Sequence, residues 1–225
     1  KLVLLNTPMN PSGKVFSRQE LEVVAELLQR HDVYAVCDEV YEHLVFDGRE
    51  HVPLMTLPGM RERCARIGSA GKTFSLTGWK VGYVTAPPEM LTAIGRAHQF
   101  LTFATPPNLQ RAVAYGLRKD DGYFAELQSD MQARRDLLRD GLVSVGMRVA
   151  SCEGTYFLNA DYRPLGFDDT DEQFCRHITS EAGVSAVPFG AFYADQPATG
   201  FARFCFCKQE STLENAIERL RNHFE

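Results

Sequence analysis

Three short stretches place reactive side chains directly after apolar runs. Ser69-Ala70-Gly71-Lys72-Thr73 follows one run, Asp38 with Tyr41 three residues on follows a second, and Asn10-Pro11-Ser12-Gly13 follows a third. Lys72 sits among small residues beside a buried strand. Partial burial disfavours charge on an amine, and a neutral amine is a nucleophile toward aldehydes. Asp38 closes the apolar run Val33 to Cys37. A buried carboxylate requires a partner; a cationic ring nitrogen is one candidate and a helix start is the other. Ser69 and Lys80 offer a hydroxyl and a cation to a phosphate, and Gly71 and Gly78 let backbone approach closely. Ser69 to Thr73 lacks the opening glycine of a Walker loop, which excludes an ATP-type P-loop.

Convergence of these groups requires a scaffold that brings strand ends together. The first half of the chain supplies one. Leu2 to Leu5, Val33 to Cys37, Ala65 to Ser69 and Val81 to Thr85 read as strands. Ser17 to Glu20 is a capping box opening a helix whose Leu21, Val24 and Leu28 share a face. Strand, crossover helix, strand is the pattern of a mostly parallel sheet, where ligands bind at the carboxyl ends of strands. Past residue 119 the texture changes. Asp120-Asp121-Gly122 is read as a break. A long helix with Phe124, Leu127, Met131, Leu138 and Leu142 inward then runs to Gly146. Strands follow near Arg148, at Thr155 to Asn159, Val184 to Val187 and Ala202 to Cys207. Helices are capped at Thr170 and at Ser211, the second with Leu213, Ile217 and Leu220 inward. The expectation is an α/β fold in two domains. Residues 1–119 are part of a large domain with a mostly parallel sheet, and residues 120–225 are a C-terminal α+β small domain.

Composition narrows the function classes. The 225 residues carry 24 Lys and Arg against 29 Asp and Glu, a net charge of −5. A mildly acidic chain is a poor partner for nucleic acid or an anionic membrane surface, and no apolar run reaches membrane-spanning length. The six cysteines show no paired spacing and read as reduced, buried thiols in a cytoplasmic protein; Cys205 and Cys207, flanking Phe206, would share one strand face. The histidines at 31, 43, 51, 98, 177 and 223 have no ligand spacing, so no metal is expected. Lys1 leads straight into a core strand, from which we expect further residues upstream.

A lysine, an acid and a phosphate cup suit pyridoxal 5′-phosphate, which takes a lysine on its aldehyde, an acid at its ring nitrogen and donors at its phosphate. The motifs agree. Asn6 to Val15, Asp38-Glu39-Val40-Tyr41, Ser69 to Ser75, Thr77 to Gly82, Gly154 to Phe157 and Ala202-Arg203-Phe204 together resemble the fold-type I, class I/II aminotransferases. The kynurenine aminotransferase branch, also called glutamine transaminase K or cysteine-S-conjugate β-lyase, is the nearest within them. The resemblance implies roles. Lys72 is the Schiff-base lysine and proton shuttle. Asp38 is the ring-nitrogen partner, and Asn10 and Tyr41 bond the cofactor's 3′ oxygen. Ser69 and Lys80 hold phosphate, and Arg203 holds the substrate α-carboxylate, with Asn10 beside it. Phe103 lines a neighbouring subunit's substrate pocket.

Two departures stand out. Ala104 replaces the histidine usual after the phenylalanine in kynurenine-type relatives, which bears on the preference for aromatic substrates. Met9 stands where His or Asn is usual. The implied activity is transfer of an amino group from a neutral or aromatic amino acid, of the kynurenine, methionine or glutamine type, to a 2-oxo acid. The resemblance also implies a cytoplasmic homodimer. The alternatives are β-elimination from cysteine conjugates, or an aminotransferase-like sensing domain of a transcription regulator.

Overall fold

A computed structural model describes residues 1–195 and 197–225. The chain divides into two compact units. One comprises residues 1–8 and 15–126; the other comprises residues 9–14 and 127–225.

The first unit is built on a four-stranded sheet in the order β1 (Leu2–Asn6), β2 (Tyr34–Asp38), β3 (Cys64–Ser69), β4 (Gly82–Thr85). The first three strands run parallel, with Asn6 opposite Asp38 and Asp38 opposite Ile67. The fourth runs antiparallel, with Ser69 opposite Gly82. Strand alternation alone did not disclose that reversal. The stretch between β3 and β4 holds only the single-turn α2 (Ala70–Thr73) and a 3-10 turn at Thr77–Trp79, too little chain for a crossover helix.

Helix α1 (Arg18–Arg30) starts on the predicted box. The Ser17 hydroxyl accepts from the Glu20 N–H, and the Glu20 carboxylate accepts from the Ser17 N–H at 2.8 Å. Leu21, Ala25 and Leu28 of this helix pack with Leu5, Ala35, Cys37, Leu54, Leu57, Met60 and Cys64 in one core. Helices α3 (Pro88–Leu101) and α4 (Pro107–Gly116) complete the unit.

Helix α5 (Asp121–Ser144) begins at the residues expected to break the chain, so Gly122 lies within its first turn. The second unit carries an antiparallel sheet in the order β5 (Arg148–Val149), β6 (Phe157–Asp161), β8 (Phe201–Cys205), β7 (Val187–Pro188). Strand β7 is shorter than the expected Val184 to Val187 stretch, and β8 stops at Cys205, leaving Cys207 outside it.

Helix α6 (Asp171–Glu181) keeps its Thr170–Gln173 box. Helix α7 (Glu210–Phe224) starts ahead of Ser211, with Gln209 at its cap and no side-chain cap bond, yet buries the expected Leu213, Ile217 and Leu220. It packs on α5 at Gly141, where a Cβ would lie 2.3 Å from Ile217 Cδ1. Among the described residues no helix is long and apolar enough to cross a membrane.

Candidate active site

In the first unit the predicted residues gather at the carboxyl ends of β2 and β3. Asp38 is the last residue of β2, half-buried, and its Oδ1 accepts from the Val40 N–H at 3.3 Å. That bond caps a turn, not a helix. Tyr41 is buried two residues further on from Glu39. Lys72, on the one-turn helix after β3, brings Nζ to 5.7 Å from the centre of the Tyr41 ring. Ser69 is the cap residue of that helix, and its hydroxyl makes no capping bond there.

Gly71 earns its place by close approach. A Cβ there would stand 3.1 Å from Thr77 Cα and 3.4 Å from Ser69 Oγ. Gly78 does not repeat the pattern; a Cβ there meets nothing within 4 Å, and the expected close approach is absent. Lys80 is exposed and sits in the left-handed region at φ 55°, two residues before Gly82, the partner of Ser69. Phe103 shares a cavity with Gly82, the residue opposite Ser69. It is 78% exposed, with φ 63°, and lines this cavity of about 390 Å³ with Tyr83, His98, Gln110 and Val113.

Behind Asp38 stands an ionic cluster that the motif reading passed over. Glu39 is fully buried. Its Oε2 accepts from Arg66 Nε at 2.6 Å and lies 3.0 Å from His51 Nε2, while its Oε1 has no hydrogen-bond partner. Arg66 also pairs with Glu42, whose other oxygen accepts from the Tyr83 hydroxyl at 3.0 Å. An acid following directly on an apolar strand was the available signal. His43 stacks on Phe124 at 4.4 Å, and burial, with His51 nearby, holds its imidazole below the ordinary histidine range.

The second unit holds Asn10 and Arg203 together. Arg203, on β8, donates from Nη1 to Asn10 Oδ1 at 2.6 Å. Its neighbour across the ladder is Asn159 of β6, whose Nδ2 donates to the Pro11 carbonyl at 2.7 Å. Gly13, at φ 76°, accepts from the Glu153 and Gly154 N–H groups, and a Cβ there would meet Cys152 at 3.3 Å. The 9–14 segment is thereby laid along the β6–β8 face. The guanidinium carbon of Arg203 lies 3.9 Å from the centre of the Phe157 ring and 4.6 Å from that of Phe192.

The profile of the aminotransferase class I and II family matches residues 1–220. The chain belongs to this family. Among curated aminotransferases it is 42% identical to a probable N-succinyldiaminopimelate aminotransferase of Mycobacterium tuberculosis and 41% identical to human kynurenine–oxoglutarate transaminase 1. Each match covers 98% of this chain and 57% of the relative, so the chain spans little more than half the length of these aminotransferases. The solved N-succinyldiaminopimelate aminotransferase from Mycobacterium tuberculosis superimposes with a TM-score of 0.93 at 41% identity, over 99% of this chain and 58% of that one. A methionine aminotransferase from Escherichia coli does so with the same score at 39% identity.

Aminotransferases of this class use pyridoxal 5′-phosphate. The donor set of the first unit fits that group. It offers an amine for an aldehyde, a carboxylate for a ring nitrogen, and for a phosphate the Ser69 hydroxyl, which a Cβ at position 71 would approach to 3.4 Å.

Proposed function

We propose that the protein is a pyridoxal 5′-phosphate-dependent aminotransferase. It moves the amino group of a neutral or aromatic amino acid, of the kynurenine, methionine or glutamine type, to a 2-oxo acid. The observation that carries this reading is the position of Lys72, one turn past the end of β3, with its amine over the ring of Tyr41 and Asp38 ending the adjacent strand. The relatives named for kynurenine and methionine support the substrate class.

When bound, the cofactor supplies an aldehyde that takes up amino groups and a protonated ring that accepts electron density. Lys72 Nζ would hold that aldehyde, and its amine would move a proton from the substrate Cα to the former aldehyde carbon, as base and then acid. Asp38 would supply the carboxylate that keeps a proton on the ring nitrogen. Tyr41 donates its hydroxyl to the ring oxygen. Ser69 and Lys80 bind the phosphate, Lys80 as a point charge. Arg203 holds the α-carboxylate, for which its planar fork offers two parallel donors, and Asn10 fixes the plane of that fork. By family analogy the protein works as a homodimer.

Borohydride reduction of the protein with pyridoxal 5′-phosphate, followed by peptide mass spectrometry, tests the core of this reading. The adduct is expected on Lys72 and is lost in Lys72→Ala; an adduct on another lysine, or its persistence in the variant, overturns the assignment. Product analysis then separates the reactions. A 2-oxo acid formed with turnover only when an acceptor is added marks transamination, whereas pyruvate and ammonia formed with turnover from a cysteine conjugate without an acceptor mark β-elimination.

A further inference from the structure

Arg203 is held by more than its bond to Asn10. Phe157 stands diagonally from it across the β6–β8 ladder, on a strand fixed at both edges. Phe192 comes from elsewhere: the last residue of the 3-10 turn Phe189–Phe192, 43% exposed, yet with its ring centre 4.6 Å from the guanidinium carbon. A large aromatic ring left half in water contributes little to a core. Against a guanidinium it contributes the attraction between cation and ring quadrupole and removes rotational freedom from a long side chain.

The turn that carries Phe192 is anchored. The Gly190 N–H donates at 2.8 Å to Oδ2 of buried Asp171, and a Cβ at Gly190 would meet the Pro197 carbonyl at 2.4 Å. The same carboxylate accepts from the Thr199 hydroxyl and from the Thr199 and Gly200 N–H groups, which lead directly into β8. One buried acid therefore ties the turn bearing Phe192 to the strand bearing Arg203.

We propose that Phe192 is a positioning residue for carboxylate recognition: its ring, with that of Phe157, holds the Arg203 guanidinium in the plane that Asn10 sets, so that the fork is ready for a substrate carboxylate. This deepens the reading of Arg203 given above and rests on it. Preorganisation raises affinity by lowering the ordering cost of binding, so the effect belongs in KM and not in kcat. It also makes the aromatic character of position 192 matter, beyond its bulk.

The variants Phe192→Leu, Phe192→Trp and Arg203→Lys, compared in the active protein, separate the possibilities. Phe192→Leu is expected to raise the KM for the amino acid about three- to tenfold, the range of a partly exposed cation–π contact, with kcat unchanged, and Phe192→Trp to restore it. Rotation of the Arg203 guanidinium about Nε–Cζ, read by 15N NMR without cofactor, is expected to speed up in Phe192→Leu and slow again in Phe192→Trp. An unchanged KM and rotation rate in Phe192→Leu, alongside a KM raised by Arg203→Lys, overturn the role of Phe192 alone. A KM indifferent to Arg203→Lys overturns the carboxylate reading itself.

Discussion

Asp171 shows how far a single buried group can be tuned. Burial pushes its carboxyl up, but the Thr199 hydroxyl, the Gly200 N–H, the Tyr162 hydroxyl and the Gly190 N–H all donate to it, and together they hold it below the ordinary 3.8. The same geometry acts on Tyr162, whose phenol is raised by burial first and by the adjacent carboxylate second. A carboxyl depressed in the folded state contributes stability that is full above its unfolded value and is lost as pH falls through its folded value. Thermal melts should therefore show a stability loss below about pH 4 that Asp171→Asn reduces, the remainder coming from groups such as Asp161, which the Arg163 guanidinium holds low. At neutral pH the same variant should cost about 2–4 kcal/mol, because an amide turns a donor toward donors. A variant that melts like the parent at pH 7 would show that the cluster is not coupled to folding. Because Asp171 also ties Phe192 to β8, an altered substrate KM in Asp171→Asn at neutral pH is expected as well.

At the scale of elements, local signals and their limits are both visible. The box at Ser17 predicted the start of α1 because two reciprocal hydrogen bonds need only four residues of sequence, and both are formed. Ser17→Ala is expected to destabilise the first unit by about 1 kcal/mol, measured as a shift in denaturant midpoint at constant slope; a change below a few tenths would mean that tertiary packing alone sets that end. The Ser211 box failed for the converse reason: helix α7 is held by Leu213, Ile217 and Leu220, and its start slides to Gln209 without a side-chain cap. Gly122 likewise enters α5 because a glycine costs only about 1 kcal/mol in a 24-residue helix. The ends of β2 and β3 were legible because each strand stops at a polar residue, Asp38 and Ser69, with Lys72 just beyond; β1, expected to be a core strand, is instead a sheet edge with Leu2 and Leu4 exposed. Phe192 and Asn159 were not legible. Their meaning comes from β8 lying between β6 and β7, a pairing that brings together residues from three separate stretches of chain.

For the whole molecule, the decisive quantity is the surface that the first unit leaves in water. Among the described residues strand β1 forms one edge of its sheet, pairing only with β2, and Leu2 and Leu4 are 56% and 77% exposed on one face of it. At the end of α3, Phe100 and Leu101 are 88% and 81% exposed. An open strand edge with apolar side chains is a template for pairing with another chain, and apolar surface in water drives association at about 25 cal/mol per Å² buried. This chain spans little more than half the length of its relatives. A polypeptide of these 225 residues is therefore expected to self-associate with rising concentration. Paired lysines at positions 2 and 4 act on the strand edge by charge repulsion, and paired lysines at 100 and 101 act on the helix end. If the edge dominates, Leu2→Lys with Leu4→Lys raises the concentration at which light scattering begins, and added salt reverses the gain by screening the new charges. Equal scattering from parent and edge variant, with relief only from Phe100→Lys and Leu101→Lys, would move the sticky surface from the sheet edge to α3.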